Sequence, residues 1–266
     1  MTYFSFLIFF LVIPIIVLAI ITLVDRRRGV ELPASMRNWP AWAAISLHVV
    51  VALLYTTLWD NYLVATKVWW YDPDLVTGIT LWWVPIEEYT FFILQPLMAG
   101  LWLLSLARHM KRIISPGELL SWLRVAGPAL FLVLWLASAA ILVSGWKPGT
   151  YLALELVWAL PPIGLQLAFG ADILWRYRRL VLLTIISLTL YLSAADALAI
   201  TLGTWTINPA KSLDLLLAGL LPIEEFLFFV LTNTLITFGI VLVMNDDSHA
   251  RFGDIRRRLS RNKAGS

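Results

Sequence analysis

The chain has 266 residues, of which 60% are hydrophobic and 14% are charged, and its formal net charge is +3. This composition excludes an ordinary soluble domain, and the absence of cysteine excludes disulfides, thiolate metal sites and cysteine nucleophiles. Several apolar stretches reach about 20 residues, the length that crosses the hydrocarbon core of a bilayer. We predict an all-α polytopic membrane protein with seven transmembrane helices. In chain order they are residues 3–24, 41–64, 79–107, 119–143, 151–169, 180–202 and 213–244.

The basic residues predict the orientation of these spans. Of the 20 Lys and Arg residues, all but Lys67, Lys147 and Lys211 lie on the side where spans one, three, five and seven end. The positive-inside rule then places the N-terminus outside and the C-terminus in the cytoplasm. The first span ends in three arginines and has no cleavage site, so we expect it to stay in the mature protein. The basic tail is interpreted as a solvated topogenic segment, with contact to anionic lipid as the alternative.

The sequence also contains an internal repeat. Shifts of 136–137 or 147 positions superpose Asp60 on Asp196, Trp69 on Trp205, Pro73 on Pro209, Pro14 on Pro161 and Asp25 on Asp172. Spans one to three therefore match spans five to seven, and span four restores the orientation, so the two repeats run parallel. We predict a first three-helix repeat (1–112), a linker transmembrane helix (113–145), a second three-helix repeat (146–245) and a basic cytoplasmic tail (246–266).

Each repeat carries the motif Pro-Ile-Glu-Glu followed by a Phe pair. The motif residues are Glu87, Glu88, Phe91 and Phe92 in the first repeat and Glu224, Glu225, Phe228 and Phe229 in the second. An acidic side chain at the centre of a bilayer costs roughly 2.5–3.5 kcal/mol, so carboxyl groups there usually have a function. With Asp60 and Asp196 the two motifs place six carboxyl groups at one depth, and three lysines cannot neutralise them all. We expect at least one glutamic acid to keep its proton at neutral pH.

Helical spacing distinguishes the two glutamates of each motif. The second glutamate shares a face with the Phe pair and, in the first repeat, with Gln95, which Thr232 replaces in the second. The first glutamate points about 100° away from that face. If the helices have already begun before the motifs, Pro85 and Pro222 each leave a backbone carbonyl free to bind an acid proton.

Two other interpretations of the carboxyl groups compete with catalysis. A buried polar network, or ion pairs with the lysines, would lock the repeats together without chemistry. A metal site is disfavoured because the chain has no HExxH, Glu-x-x-His or DDxxD sequence, and a carboxylate-only Mg²⁺ site has no evident phosphate partner. His48 is alone on an apolar helix and is interpreted as a core residue. We predict neither a metal nor a cofactor.

The aromatic residues at the level of the carboxyl groups are candidate substrate contacts. Most of the 14 Trp residues lie at span ends, where Trp normally anchors a protein at the membrane interface. An acid beside aromatic faces is suited to making and holding a carbocation. The predicted substrate-binding residues are Trp69, Trp83, Phe91, Phe92, Gln95, Trp205, Phe228 and Phe229.

These motifs resemble those of the flavin-free integral-membrane lycopene cyclases, which occur as two separate subunits or fused to phytoene synthase. The resemblance rests on the two Pro-Ile-Glu-Glu motifs with their Phe pairs, each preceded by an Asp and a Trp at the same distance, and it covers almost the whole chain. It implies that both half-units are fused in tandem in one polypeptide. The implied substrate is lycopene or a related linear carotenoid, in a lipid bilayer and with other carotenoid-pathway enzymes as candidate partners.

The resemblance implies a redox-neutral cyclisation without a cofactor. A protonated glutamic acid delivers H⁺ to C2 of a ψ-end, the C5=C6 bond attacks the cation at C1, and loss of the C6 proton gives a β-ionone ring. The absence of a GxGxxG fingerprint agrees with this. The family motif favours Glu87 or Glu224 as the acid, whereas the helix face favours Glu88 and Glu225. Asp60 and Asp196 are expected to tune the proton or to receive it.

Two further functions remain alternatives at this point. A proton-coupled transporter of small solutes can have the same three-plus-one-plus-three helix arrangement. A carotenoid-binding assembly subunit would have the same motifs without activity. Within the cyclase interpretation, the ring type (β, ε or γ), the number of ends cyclised and the carotenoid length all stay open.

Overall fold

The computed structural model describes residues 1–115 and 119–264. Within these residues, seven helices are long and apolar enough to cross a membrane, which confirms the predicted all-α class and the predicted number of spans. They are α1 (Tyr3–Arg27), α2 (Ala41–Ala65), α3 (Ile86–His109), α4 (Leu123–Ser144), α5 (Thr150–Arg176), α6 (Arg178–Thr201) and α7 (Ile223–Met244). Residues 116–118 of the predicted linker and 265–266 of the predicted tail lie outside the described residues, as do the side chains of Arg258, Arg261 and Lys263.

The most deeply buried spans are α3 and α7, which carry the two Glu motifs. They contact each other and are packed against α2 and α6 respectively, whereas α4 packs mainly on α5 and is the least buried span. The motif helices therefore form the centre of the bundle, and the second and sixth spans bring Asp60 and Asp196 to them.

The two motif helices begin later than the apolar pattern predicts. Each is preceded by a short hairpin, formed by β2 (Thr80–Leu81) and β3 (Val84–Pro85) before α3, and by β5 (Leu216–Leu217) and β6 (Leu221–Pro222) before α7. The motif prolines are the last strand residues and the N-cap positions of the helices. The idea that they free carbonyls inside a helix is therefore wrong, because a proline before the first turn interrupts no helical hydrogen bond.

The hairpins also locate the change in the repeat spacing. The first hairpin turns through two residues, 82 and 83, and the second through three, 218–220. This one-residue insertion accounts for the step from a shift of 136 before the hairpins to 137 after them.

A pair of strands joins the two halves of the chain. Strand β1 (Trp69–Tyr71) pairs antiparallel with β4 (Trp205–Ile207), and Trp70 lies opposite Thr206. These two residues are also superposed by the shift of 136, so the pairing is symmetric about them. Shared hairpins and this strand pair support the predicted division into two repeats, which remains a prediction.

A π-helical turn, Ile8–Val12, interrupts α1. A π-turn accommodates one extra residue within a helix. Tyr3 and Pro14 are eleven residues apart, while their counterparts in α5, Tyr151 and Pro161, are ten apart. The π-turn thus accommodates the extra residue in α1. The residues before it and the residues after it both have counterparts in α5.

The basic tail forms a helix, α8 (Asp246–Ala264), that is tied to the transmembrane bundle. Arg251 forms a bidentate pair with the buried Asp172 of α5, at 2.8 and 2.6 Å. Arg176 at the end of α5 pairs with Asp247 at 2.9 Å. The start of the tail is therefore bound to the C-terminal end of α5. The sequence predicted a solvated segment and did not predict this contact.

Candidate active site

Four of the six predicted acidic residues meet in a cavity of about 50 Å³ where the β1–β4 pair lies against the first turns of α3 and α7. Ten predicted site residues line it: Asp60, Trp69, Glu88, Phe91, Phe92, Asp196, Trp205, Glu225, Phe228 and Phe229. The remaining lining residues are Tyr3, Phe6, Trp59, Tyr71, Tyr151 and Ile207. Both halves of the chain thus contribute to one site.

Two phenol groups hold Glu88. The hydroxyls of Tyr3 and Tyr71 both donate to its Oε2 atom, at 2.6 and 2.9 Å. Burial, with the nearby Asp60 and Glu88 carboxylates, raises the pKa of the Tyr71 phenol well above its usual value. Tyr71 therefore stays protonated and keeps donating to Glu88 at any physiological pH.

Glu225 has a related but different environment. Tyr151 donates to its Oε1 atom at 2.7 Å, as Tyr3 does to Glu88. The second neighbour of Glu225 in the cavity is the carboxyl group of Asp196, whose Oδ2 atom has no hydrogen-bond partner among the described residues. Asp196 is itself held by the indole N–H of Trp205, at 2.9 Å. One half of the site therefore pairs a glutamate with two phenols, and the other pairs it with a phenol and a second acid.

Two further carboxyl groups in this region have no hydrogen-bond partner among the described residues. Asp60 lines the cavity with both oxygens unpartnered, and it is 1% exposed. Glu155 of α5 is fully buried with both oxygens unpartnered, one helical turn after Tyr151. Because an unpaired buried polar group costs about 1–3 kcal/mol, both positions suggest a functional requirement.

The first glutamate of each motif is placed elsewhere. Glu87 accepts the backbone N–H of Thr77 at 2.6 Å, and Glu224 accepts that of Leu213 at 2.7 Å. Both side chains are buried, yet neither lines the cavity. These contacts fix the loops that lead into the hairpins. The glutamates that line the cavity are Glu88 and Glu225, the two that the helix face favoured.

Two predicted substrate contacts also lie outside the cavity. The Trp83 side chain is 64% exposed at the hairpin tip, and its backbone N–H donates to Asn61. Gln95 donates to Asn233 of α7 at 2.9 Å and lines a separate crevice. The structure therefore does not bring these two residues to the carboxyl groups.

Aromatic rings surround the carboxyl groups in a pattern that crosses between the halves. Tyr3 of α1 packs on Trp205 with ring centroids 4.9 Å apart, and Tyr151 of α5 packs on Trp69 at 5.2 Å. Phe91 and Phe229 meet edge-on at 6.5 Å between α3 and α7. Several ring faces and edges are thus fixed within reach of the acids.

No Lys or Arg occurs among the described residues that line the cavity. Lys211, one of the expected ion-pair partners, instead donates to the backbone carbonyl of Thr66. In the part of the chain that the structure describes, no group of three or more His, Asp or Glu residues is arranged to hold a metal ion. Among the described residues, the acids that line the cavity thus form no ion pair with a lysine.

Comparison with known proteins identifies the family. The protein-family model described as Lycopene cyclase matches residues 33–106 and 147–244. The chain belongs to the lycopene cyclase family. Each matched block of this lycopene cyclase family member contains one Glu motif, and α4 lies between the blocks.

Curated relatives of this family member occur in archaea and fungi. The lycopene beta-cyclase of Halobacterium salinarum is 40% identical over 200 residues, which is 75% of this chain and 81% of the relative. The bifunctional lycopene cyclase/phytoene synthases of Gibberella fujikuroi and Phaeosphaeria nodorum are 34% and 39% identical over 74% and 72% of this chain. In both fungal proteins the match covers 34% of the longer relative. No solved structure matches the chain.

Sequence reasoning missed the three tyrosines that hold the cavity glutamates, Tyr3, Tyr71 and Tyr151, the lining residues Phe6, Trp59 and Ile207, and the nearby Glu155. Tyr3 and Tyr151 superpose at a shift of 148, one position away from the 147 that aligns Pro14 with Pro161. The signal was present, but the π-turn in α1 displaced it by one residue. Glu155 corresponds to Leu7 at the same shift, so no repeat signal marks it.

Proposed function

We propose that this protein cyclises the ψ-ends of lycopene to β-ionone rings, giving β-carotene through γ-carotene in carotenoid biosynthesis. It is an isomerase, or intramolecular lyase, because no atom is gained or lost overall. The observation that carries the proposal is the cavity itself, in which Asp60, Glu88, Asp196 and Glu225 face aromatic rings with no Lys or Arg among the described lining residues. Membership of the lycopene cyclase family supplies the substrate class.

The reaction needs an undissociated acid in a dry site. Protonation of C2 leaves a tertiary cation at C1, which the C5=C6 bond attacks to form the C1–C6 bond and a cation at C5. Loss of the C6 proton restores a C5=C6 double bond, so the protein must supply one proton and accept one. Water would quench the cation and weaken every electrostatic contact, and the buried cavity limits both effects.

Glu225 is the proposed acid. Its carboxyl group and that of Asp196 are both buried and line the same cavity, with no Lys or Arg among the described lining residues, and two carboxylates there would repel each other, so one of the two should keep its proton. Tyr151 and the Trp205 indole hold the pair in place. This arrangement stores a proton beside the substrate without a basic residue.

Glu88 is the proposed base. Its Oε2 atom accepts two phenol hydrogens, an arrangement that suits a carboxylate, because hydrogen bonds to a charged acceptor are stronger than those to a neutral one. A carboxylate there would also stabilise the developing cation in a site of low dielectric. Splitting the acid and base roles between two differently surrounded carboxyl groups is a recurrent catalytic pattern.

The proton must return from the base to the acid after each ring closure. Asp60 lines the same cavity with both oxygens unpartnered and is the proposed intermediate carrier. Glu155 lies next to the Tyr151–Glu225 pair and is the proposed proton store on the acid side. In the repeat alignment Leu7 of α1 occupies the position that matches Glu155. The Glu88 side therefore has no carboxyl group at that position.

The aromatic rings stabilise the cation without reacting with it. A cation over an aromatic face gains roughly 0.5–2 kcal/mol, more when it is desolvated. Phe91, Phe92, Phe228 and Phe229 are candidates for this contact, since all four line the cavity. A ring has no lone pair that would trap the cation as a stable adduct.

The proposed orientation has the N-terminus and the cavity on the outer side and α8 in the cytoplasm. The Tyr3 N–H donates to the Leu75 carbonyl, and Thr204 donates to that of Met1, so the N-terminus lies at the hairpin end of the bundle. The basic residues at the other end favour the cytoplasm there. The lipid bilayer and other enzymes of the pathway are the proposed partners.

Expression in a lycopene-accumulating cell, with chromatography of the pigments, tests this function. The unaltered protein should convert lycopene to β-carotene, and Glu225→Gln should leave lycopene in place while still inserting into the membrane. Unchanged lycopene with the unaltered protein would contradict the function, and ε- or γ-rings would contradict the proposed product. Proton-driven uptake of a solute into proteoliposomes would instead favour the transporter alternative.

A further inference from the structure

The acid cavity is too small for the substrate end that it has to hold. Its volume is about 50 Å³ on a measure by which one water needs about 10–15 Å³, so it has room for only a few waters. The part of a ψ-end that forms the ring is many times larger than one water. The rest of the polyene also needs a place outside this cavity, so a neighbouring space must take part in binding.

A second and larger crevice adjoins the cavity. Its volume is about 220 Å³, and it lies between α2, α3, α5 and α7. Phe91, Phe92 and Phe228 line both the crevice and the cavity. These three rings are therefore the partition between the two spaces, and a change in their rotamers would join them.

The crevice opens sideways, towards the surface that faces lipid. Leu47, Val51 and Tyr55 of α2 line it and are 40%, 51% and 43% exposed. All three lie on a helix that crosses the membrane, so their exposed surface faces hydrocarbon rather than water. An apolar molecule dissolved in the bilayer can therefore reach the crevice between α2 and α5 without passing through water.

A stack of aromatic rings leads from this opening to the partition. Tyr55 stacks on Trp158 at 5.7 Å, Trp158 on Trp59 at 4.5 Å, and Trp59 on Phe228 at 6.0 Å. The interplanar angles are 22°, 18° and 3°, so the four rings are close to parallel. Aromatic rings of this kind are favourable apolar contacts for part of a conjugated chain.

The inner end of the crevice is polar but largely occupied by internal contacts. Gln166 donates to the Leu235 carbonyl at 2.9 Å, and the His48 ring bonds the Ala44 carbonyl at 2.7 Å. Gln95 donates to Asn233. The remaining lining is mostly aliphatic and aromatic, which favours a hydrocarbon ligand over a polar solute.

We propose that this crevice holds the polyene chain of the linear carotenoid and is its access route from the bilayer between α2 and α5. The ψ-end passes the Phe91, Phe92 and Phe228 partition to reach Glu88 and Glu225. These three rings thus act as both gate and cavity wall. This inference rests on the proposed function for the identity of the chain that it binds.

A tryptophan introduced at Ala52 tests the crevice. Ala52 lines it from α2, and Ala52→Trp would fill the space that the polyene needs. Leu54→Trp adds the same ring on the same helix at a position that is 69% exposed and outside the crevice lining. Ala52→Trp should lower β-carotene formation at least tenfold, and Leu54→Trp should leave it unchanged. Unchanged conversion by Ala52→Trp would overturn the proposal.

Binding is measured separately in a variant that should not turn over. Glu225→Gln is purified in detergent from lycopene-accumulating cells, and bound lycopene is read from its visible absorbance. Adding Ala52→Trp should remove at least nine-tenths of the bound pigment, whereas adding Leu54→Trp should not. Pigment retained with Ala52→Trp would overturn the crevice proposal even if cyclisation is confirmed.

The two measurements separate this inference from the proposed function. If the unaltered protein leaves lycopene uncyclised, the proposed function fails. The binding comparison then still decides whether the crevice binds the polyene chain. The unfolding temperature of each variant in detergent shows whether the added ring disturbs folding. If Ala52→Trp does not accumulate, Ala52→Leu replaces it. A smaller loss of bound pigment is then expected, and no loss at all would contradict the proposal.

Discussion

Tyr151 donates its phenol hydrogen to Glu225 at 2.7 Å, across the interface between the start of α5 and the first turn of α7. Tyr3 makes the matching contact to Glu88 at 2.6 Å, between α1 and α3. In each half of the chain a tyrosine that opens the first helix thus positions the second glutamate of the motif. The halves differ in the next neighbour, since Glu88 accepts a second phenol hydrogen from Tyr71, whereas Glu225 shares the cavity with the Asp196 carboxyl group.

Tyr151→Phe should impair turnover more than Tyr3→Phe. Tyr151 is the one phenol that bonds Glu225 in the described structure, whereas Glu88 keeps Tyr71 when Tyr3 is removed. Glu225 becomes charged as it gives up its proton, and a hydrogen bond to a charged group contributes about 1.5–3 kcal/mol, so the Tyr151 variant should lose roughly 10- to 100-fold in rate. Initial rates in membranes of equal protein content provide the measurement. Equal losses in the two variants would show that the second phenol has no compensating effect.

Glutamine substitutions should separate the two glutamates of each motif. Glu88→Gln and Glu225→Gln keep the side-chain shape but remove the proton that the reaction moves, so turnover should fall by at least about a thousandfold, the combined scale of acid and base catalysis. Glu87→Gln and Glu224→Gln keep an oxygen that can accept the loop N–H groups, so they should retain most activity. Pigment analysis measures both effects.

Stability measurements supply the control for this comparison. Glutamine at position 87 or 224 puts an NH₂ group in place of one carboxyl oxygen beside the loop N–H, which should cost about 1 kcal/mol and lower the unfolding temperature in detergent. Glu88→Gln should lose a similar amount, because its Oε2 atom accepts two phenol hydrogens, so turnover rather than stability separates it from Glu87→Gln. Full activity of Glu225→Gln together with an inactive Glu224→Gln of normal stability would reverse the assignment of the acid.

The repeated motif and its helical spacing were sufficient to predict most of the cavity. Both Phe pairs, Asp60 and Asp196 were visible because they recur at one spacing, and the face that Glu88 and Glu225 share with the Phe pairs lines the site. Helical spacing shows which residues share a face, but only for residues of the same helix. The assignment failed where residues from different elements meet.

The helix starts could not be read from hydropathy. The hairpin residues before Ile86 and Ile223 are as apolar as a transmembrane span, because a loop at the membrane interface is in contact with lipid and with the bundle. Left-handed backbone at Trp82 and Ala218 (φ 58° and 50°) turns the chain there, and neither residue type signals such a turn. Sequence periodicity therefore extended both helices too far.

Glu155→Leu should raise stability and lower activity. The side chain is fully buried with both oxygens unpartnered, so its removal should relieve a cost of about 1–3 kcal/mol, and leucine is what α1 has at the matching Leu7. If Glu155 supplies protons to Glu225, the same change should slow turnover about tenfold or more without weakening lycopene binding. A purely structural Glu155 predicts the opposite sign for stability. Thermal unfolding in detergent and turnover at saturating lycopene decide between the two.

Tyr71 should make stability fall at high pH. Its folded-state pKa is raised by burial and by nearby Asp60 and Glu88, so the neutral phenol is the form that the fold stabilises. A group of this kind contributes fully below its unfolded pKa of about 10, and its contribution is lost as the pH rises through the folded value. Unfolding temperatures between pH 8 and 11 should therefore drop more steeply for the unaltered protein than for Tyr71→Phe. Parallel curves would show that another group controls the alkaline loss.

Single cysteines should report the proposed orientation without background, because the chain contains none of its own. Asp74 is exposed in the loop between β1 and α3, next to Leu75, which binds the N-terminal segment. Ser121 is exposed before α4, at the other end of the bundle. A membrane-impermeant maleimide should label Asp74→Cys on intact cells, and Ser121→Cys only after permeabilisation. The reverse pattern would place the carboxyl cavity at the cytoplasmic side, and the arginines around α1 and α8 would then not have determined the insertion.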